Sequence, residues 1–439
     1  MRLRLPHPLV LLLGAVGVAA LLTWVLPAGE YQRREDATLG RPVVVPGTYA
    51  RVTASPVGPV AAVLAVPRGI VAGADVILTV LIVGGVFVML DATGALARLV
   101  GSIVGRTTRP RLVVIAVSLV FASLGALENM QEEVIALIPI LIVLSRGLGF
   151  GAITALAMSI GACAVGAAFG PTNPFQTGIA LRFAEMPPLT IPGLRFGLLA
   201  IAVAVWIAWT LAMTSRDDQR PELSAATAEP ATARDLQLLA ITLVPFIPYV
   251  IGVVKFDFGF NELTALFLVA GFVLGVRAGF SLSETSAQLL KSMETMLAAA
   301  MFIGVARAVS VVLTDGRVID TIIAGLASPL AGMPGTVAAL LMIPIQALLH
   351  VAVPSVSGQA VLTMPIMAPV ADLLGFSRDA TVFAFQTGAG LIDMITPTSG
   401  ALLATLLIAK VEYTRWIRFA APGGVLVAVV GAVGVILSR

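Results

Sequence analysis

Apolar runs about 20 residues long recur along this chain, at about 8–27, 72–92, 193–213, 237–254, 261–277, 295–313 and 418–438. Short stretches rich in Arg, Gly and Pro separate them. A helix crossing a hydrocarbon core of about 30 Å needs roughly 20 mostly apolar residues, so the pattern predicts an all-α polytopic membrane protein embedded in the lipid bilayer. Segment 28–70, with Pro42, Pro46, Pro56 and Pro59, is too polar and too broken to cross. It is expected as an external loop with an interfacial piece near 57–67. Segment 214–236 is the one long polar linker and reads as cytoplasmic.

Two further places hold a pair of apolar arms around a polar tip. Arms 112–127 and 133–145 flank Glu128-Asn129-Met130-Gln131-Glu132, and arms 334–353 and 359–374 flank Pro354-Ser355-Val356-Ser357-Gly358. Short arms meeting at residues that lipid does not tolerate predict re-entrant hairpins with tips near mid-membrane; two full spans per pair is the plainer alternative.

The two places are related. Asn129 to Asn173 aligns without a gap onto Ser355 to Ser399, every position displaced by 226 residues. Pro139 falls on Pro365, Leu148-Gly149-Phe150 on Leu374-Gly375-Phe376, and Pro171-Thr172-Asn173 on Pro397-Thr398-Ser399. Paired Pro, Gly, Asn and Ser interruptions in two halves of a membrane chain point to a transport site. A linker helix at 237–254 turns the second copy upside down. The expected organisation is a first inverted repeat over 1–213, with hairpin 112–146 and broken helix 150–186, and a second over 255–439, with hairpin 334–375 and broken helix 378–410.

Composition agrees with lipid: 58% of the 439 residues are hydrophobic and 12% charged, with a mean hydropathy of +1.01. The basic pI near 9.3 reflects a net charge of only +3, carried by Arg and Lys in the loops, so it reads as topology rather than nucleic-acid binding. The Lys and Arg bias places the N-terminus in the cytoplasm. After Met1-Arg2-Leu3-Arg4 no convincing small-x-small cleavage site follows the first apolar run, and Trp24 is an interface anchor, so the run is expected as a retained span. Cys163 is the single cysteine, which excludes an intrachain disulfide and leaves zinc or iron–sulfur chemistry without ligands.

Proline removes a backbone donor and the residue before it avoids the helical region, so the small-residue helices must stop at Pro171 and Pro397. Asn173, ahead of Pro174, and Ser399 are suited to cap new half-helices. At the tips, Asn129 with Glu132 reads as a capping box and Ser355 occupies the aligned place. Four half-helix N-termini would then point into one region, each with free N–H groups and about half a positive charge. That favours a carboxylate, while Thr172, Asn173, Thr398, Ser399, Ser355, Ser357 and Gln359, with freed carbonyls, could hold Na⁺. The plainer reading is that each cap only ends a helix.

Glu132 and Glu133 are carboxylates in an apolar setting, costly there without a cation, which suits coupling to Na⁺ or H⁺, with Asp393 as a further ion-coupling candidate. The plainer reading is that Glu132 only caps its helix and Glu128 reaches a wet vestibule. Arg307 lies inside an apolar run, placed to face a substrate carboxylate or to pair with Asp393. His350, just before the second tip, reads as a hydrogen-bonded structural residue in preference to a proton relay.

Leu22-Thr23-Trp24-Val25-Leu26-Pro27-Ala28-Gly29, Glu132-Glu133-Val134-Ile135-Ala136, Asn173-Pro174-Phe175-Gln176-Thr177-Gly178-Ile179-Ala180, Val305-Ala306-Arg307-Ala308 and Ser357-Gly358-Gln359-Ala360 through Thr363-Met364-Pro365-Ile366-Met367-Ala368-Pro369 resemble the anaerobic four-carbon dicarboxylate carrier-like family of the ion transporter superfamily. The resemblance implies a homodimeric secondary carrier of the cell (inner) membrane. A transport domain holding both hairpins moves against a scaffold, and branches of the family are associated with basic amino acid exchange. The expected function is ion-coupled transport of small carboxylate-bearing solutes, without a resident cofactor. A passive channel and a membrane-embedded enzyme are the rival classes; one Cys and two His leave few options for the latter.

Overall fold

The computed structural model describes residues 8–438, apart from 37–40, 97, 100–101, 103–108, 129, 188, 215–230 and 257. Eighteen helical segments carry the description below. They are α1 (Pro8–Val25), α2 (Pro59–Ala72), α3 (Ala74–Ala92), α4 (Pro110–Glu128), α5 (Glu132–Gly147), α6 (Ala152–Phe169), α7 (174–183) and α8 (Pro192–Met213). There follow α9 (Ala233–Leu243), α10 (Phe246–Phe256), α11 (Phe260–Arg277), α12 (Leu282–Asp315) and α13 (Ile319–Ala327). The chain ends in α14 (Gly335–Ala352), α15 (Val356–Leu374), α16 (Arg378–Ile392), α17 (Gly400–Ala409) and α18 (Tyr413–Leu437).

Among the described residues, nine helices are long and apolar enough to cross a membrane: α3, α4, α6, α8, α11, α12, α14, α15 and α18. They differ from the sequence scheme in two ways. Three of the four hairpin arms, α4, α14 and α15, reach that length, so the arms are not short. The linker helix expected at 237–254 is two helices of 11 residues, α9 and α10, interrupted at Val244-Pro245, where the proline ring removes the donor that a continuous helix requires. Within the polar linker 214–236, residues 215–230 lie outside the described residues, and its end is already ordered: Thr232 and Asp235 form the capping box that starts α9.

The loop over 28–58 is not featureless. Gly29–Glu30 pairs with Ala50–Arg51, and Arg33–Asp36 with Arg41–Val44, both antiparallel. Asp320 at the start of α13 accepts from Tyr31 N at 2.8 Å and from Arg33 Nη2 at 2.9 Å, which clamps this loop to the second half of the chain.

α3 and α12 form the centre of one helix group. α1 and α2 pack on α12, and α11 on α3. Gly69 and Gly304 set the closeness of α2 to α12, since a Cβ on Gly69 would lie 2.5 Å from the Gly304 carbonyl oxygen. The other group is built on α6, α16 and the last helices of each half: α4 lies along α6, α14 along α16, and α8 along α18. Trp206 and Trp416, both fully buried, fill its interior. Between the groups stand α5 and α17, which pack on one another while α5 leans on α3 and α17 on α12. Across the molecule α15 packs on α7.

Residues 226 apart share local geometry. Pro139 and Pro365 sit inside α5 and α15, and Gly149 and Gly375 follow those helices with φ of 84° and 70°. That left-handed conformation strains an L side chain.

Candidate functional site

The first helix break follows α6. Its last residue is Phe169, Pro171 forbids continuation, and Asn173 (φ −62°, ψ 114°) opens α7. Asn173 Oδ1 accepts from the backbone N–H of Phe175 at 3.0 Å and of Gln176 at 2.9 Å, while Nδ2 donates to the Gly125 carbonyl at 2.9 Å. Thr177 Oγ1 donates to the Gly170 carbonyl inside the break. Just beyond, Cys163 Sγ donates to the Met130 carbonyl at 2.7 Å, fastening the first tip to the broken helix.

The second break spans 393–399, between α16 and α17. Ser399 Oγ accepts from Leu402 N at 3.3 Å, and the hydroxyls of Thr396 and Thr398 lie 2.8 Å apart. Carbonyls freed by the break are taken by α18: Trp416 Nε1 donates to Met394 at 2.8 Å, and the Tyr413 hydroxyl donates to Ile395. At the second tip Ser355 Oγ accepts from Gly358 N at 3.3 Å. Both helices that the sequence breaks at proline are therefore broken in space.

The first tip differs from expectation. Asn129 lies outside the described residues, and α5 begins at Glu132 with Gln131 in the capping position, making no side-chain cap bond. Glu132 is thus the first helical residue rather than the fourth of a capping box.

Charge interaction links Glu132 to three other charged groups. Glu132 is half-buried, and the charges acting on it are those of Asp393, Arg307 and Asp75, Asp393 most strongly. These come from α5, the second break, α12 and the start of α3. Arg307 does not pair with Asp393. Its stem fills the space beside Gly73 at the α2–α3 junction, with Cδ 3.1 Å from where a Cβ would stand. Among the described residues no carboxylate reaches ion-pair distance of Arg307. Asp393 faces His350 instead, with Oδ1 3.5 Å from Nε2. Glu133 is buried and takes the Tyr249 hydroxyl of α10 at 3.3 Å.

The polar candidates divide by what already binds them. Asn173 and Gln359 are fully buried with committed amides. Gln359 Nε2 donates to the Gln346 carbonyl at 2.8 Å and to its Oε1 at 2.7 Å, so this residue holds α15 to α14. Thr172 and Ser355 are exposed, Ser357 is half-buried, and Thr398 and Ser399 are buried. No group of three or more His, Cys, Asp or Glu among the described residues is set to hold a metal ion. A cation here would rest on carbonyls, hydroxyls and one or two carboxylates.

One network has no counterpart in the sequence reading. Arg195, 1% exposed, donates from Nη2 to Asp379 Oδ1 at 2.8 Å and from Nη1 to Gln386 Oε1 at 2.9 Å, and stacks over Phe383 at 4.6 Å. Gln386 Nε2 continues to Thr177 Oγ1 at 2.6 Å. A buried chain thus runs from α8 through α16 to the first break. Arg195 stands third in the apolar run 193–213 and Asp379 is 184 positions away, so no sequence spacing joins them.

Helices interrupted inside an apolar bundle, with charged and polar groups gathered at the interruptions, define a membrane transporter. The sequence profile of the family described as C4-dicarboxylate anaerobic carrier (DcuC) matches residues 5–439, and the chain belongs to that family. It is 28% identical over 472 positions to an Escherichia coli (strain K12) protein named "Putative basic amino acid antiporter YfcC", covering 96% of this chain and 93% of that one. A Haemophilus influenzae protein without a described function is 28% identical over 408 positions, covering 88% and 80%. Among solved structures, the YdaH transporter of Alcanivorax borkumensis aligns at a TM-score of 0.46 and 16% identity over 98% of each chain. MtrF of Neisseria gonorrhoeae, described within a class of antimetabolite efflux pumps, aligns at 0.42 and 16% over 99% of this chain and 95% of that one.

Proposed function

We propose that this protein is an ion-coupled secondary transporter of the inner membrane that moves small carboxylate-bearing solutes, C4-dicarboxylates first among them. Its halves act as inverted repeats with re-entrant hairpins, and it works as a homodimer. The observation that carries this reading is the packing of α5, whose N-terminus holds Glu132, on α17, which restarts after the second helix break, with the charges of Asp393 at that break and Arg307 of α12 acting on Glu132. Helix N-termini offer about half a positive charge each, and Arg307 is open to a carboxylate of the solute. Glu132 and Asp393 supply the negative charge that draws Na⁺ or H⁺ into a low-dielectric site. The exchange of partners, α5 on α17 and α15 on α7, supports the repeat relation, because each second hairpin arm packs on the broken helix of the opposite half.

Basic amino acid exchange is the second reading. The charges acting on Glu132 are two further carboxylates, Asp393 and Asp75, against a single Arg307, an excess that suits a cationic solute, and the Escherichia coli relative is named for that activity.

Uptake into proteoliposomes tests both. Labelled succinate, fumarate and arginine are offered in Na⁺ and in Na⁺-free buffer, across a pH step. Saturable, gradient-driven accumulation of succinate supports the first reading, and accumulation of arginine alone supports the second. Flux of either solute that neither saturates nor runs uphill rejects both.

A further inference from the structure

His350 closes the last turn of α14, just ahead of the second tip, and its ring is 1% exposed. The hydrogen-bond pattern around it fixes its tautomer. Gln359 must turn its amide nitrogen toward the Gln346 backbone carbonyl, which only accepts, and it donates there at 2.8 Å. Its Oε1 therefore faces His350 Nδ1 at 2.8 Å, and Nδ1 carries the proton that joins them. That leaves Nε2 as the open position of the ring. Nε2 has no hydrogen-bond partner, is buried, and lies 3.5 Å from Asp393 Oδ1.

A bare Nε2 and a carboxylate oxygen both present lone pairs. Facing one another inside the protein they repel, and one added proton converts them into an imidazolium–carboxylate pair. We propose that His350 and Asp393 together bind one proton, and that this proton is the coupling ion of transport. The inference rests on the reading of the chain as an ion-coupled carrier and names the ion and its seat.

The surroundings suit this role. Gln359, Gln346 and Thr363, from α14 and α15, are neutral and hold the ring from behind. The charged group on the open side is Asp393, which in turn acts on Glu132 of α5 together with Arg307 of α12 and Asp75 of α3. Loading a proton bonds the end of α14 to the broken end of α16. Losing it sets the hairpin and the break against one another. The proton is taken from, and returned to, whichever aqueous side the site faces, with no other atom transferred.

The experiment uses histidine labelled with nitrogen-15 in the full-length protein in lipid nanodiscs. The chain has two histidines, so a His7→Gln background leaves His350 as the single imidazole signal. The neutral ring is expected to carry its proton on Nδ1, and on acidification to take a second on Nε2; Asp393→Asn lowers the doubly protonated fraction at matched pH. A neutral ring protonated on Nε2, a ring that takes no second proton before the protein unfolds, or a fraction unchanged by Asp393→Asn overturns the proposal. In proteoliposomes, His350→Gln that stays folded is expected to lose accumulation of labelled succinate or arginine driven by a pH step, and retained accumulation also overturns it. If the native protein moves neither solute, the functional reading fails while the nitrogen-15 result stands by itself.

Discussion

The side-chain amide of Asn173 donates to the carbonyl of Gly125, 48 residues earlier, at 2.9 Å. The same side chain caps α7 through Oδ1, so one residue both starts the half-helix and ties the first break to α4. Asn173→Ala removes a cap worth about 1 kcal/mol and leaves a buried carbonyl unpaired at a cost of about 1 kcal/mol or more. The expected loss is about 2 kcal/mol, read as a lower melting temperature in detergent. Asn173→Asp keeps the acceptor but sets a second oxygen and a buried charge against the Gly125 carbonyl, and is also expected to melt lower. A melting temperature equal to the native one in both variants removes this tie from the fold.

α4 and α6 meet backbone to backbone. A Cβ added at Gly166 would collide with the carbonyl oxygen of Ala122, and one at Gly125 with that of Cys163. Backbone cannot yield as a side-chain tip does, so Gly166→Ala is expected to reduce the folded, monodisperse fraction on size-exclusion chromatography by several-fold. Gly193, with nothing within 4 Å, serves as the control position. Equal yields for the two substitutions would show that the helices separate freely.

Arg195 and Asp379 form a buried pair, and removing one partner strands the other charge. Single replacements Arg195→Met and Asp379→Leu are each expected to cost about 3–5 kcal/mol, with the double replacement recovering most of it. A double-mutant cycle on thermal unfolding checks this, and additive losses would contradict it.

On the linker side, the Arg98 guanidinium holds the Asp235 carboxyl below the usual carboxylate range, helped by bonds from Thr232. A carboxyl depressed in the folded state contributes stability that is complete above its unfolded value of about 3.9 and is lost as pH falls below it. Asp235→Asn should therefore melt lower than the native protein at about pH 7, and the gap should narrow at about pH 4 and below. A gap independent of pH would show that the pair contributes no pH-linked stability.

Much of this fold is written in the order of residues. Pro171 and Pro397 mark the breaks because proline cannot continue a helix, and Asn173 and Ser399 mark the restarts because their short side chains reach the next N–H groups. Element ends were harder to read where polarity conceals a helix. α12 starts at Leu282, capped by Ser281 and Glu284, 13 residues before the apolar run from which its start is judged. Partnerships across the chain are the least legible. Asp393 stands opposite His350 rather than Arg307, and Arg195 finds Asp379, because the packing of α14 on α16, and of α8 and α16 on α18, decides both and no local pattern records it.

The first tip and the second break are proposed to form one transport site, and accumulation of labelled succinate and arginine in proteoliposomes, native against Glu132→Gln, decides it. The variant, correctly folded, is expected to lose gradient-driven accumulation. Accumulation and ion dependence identical to the native protein would contradict it.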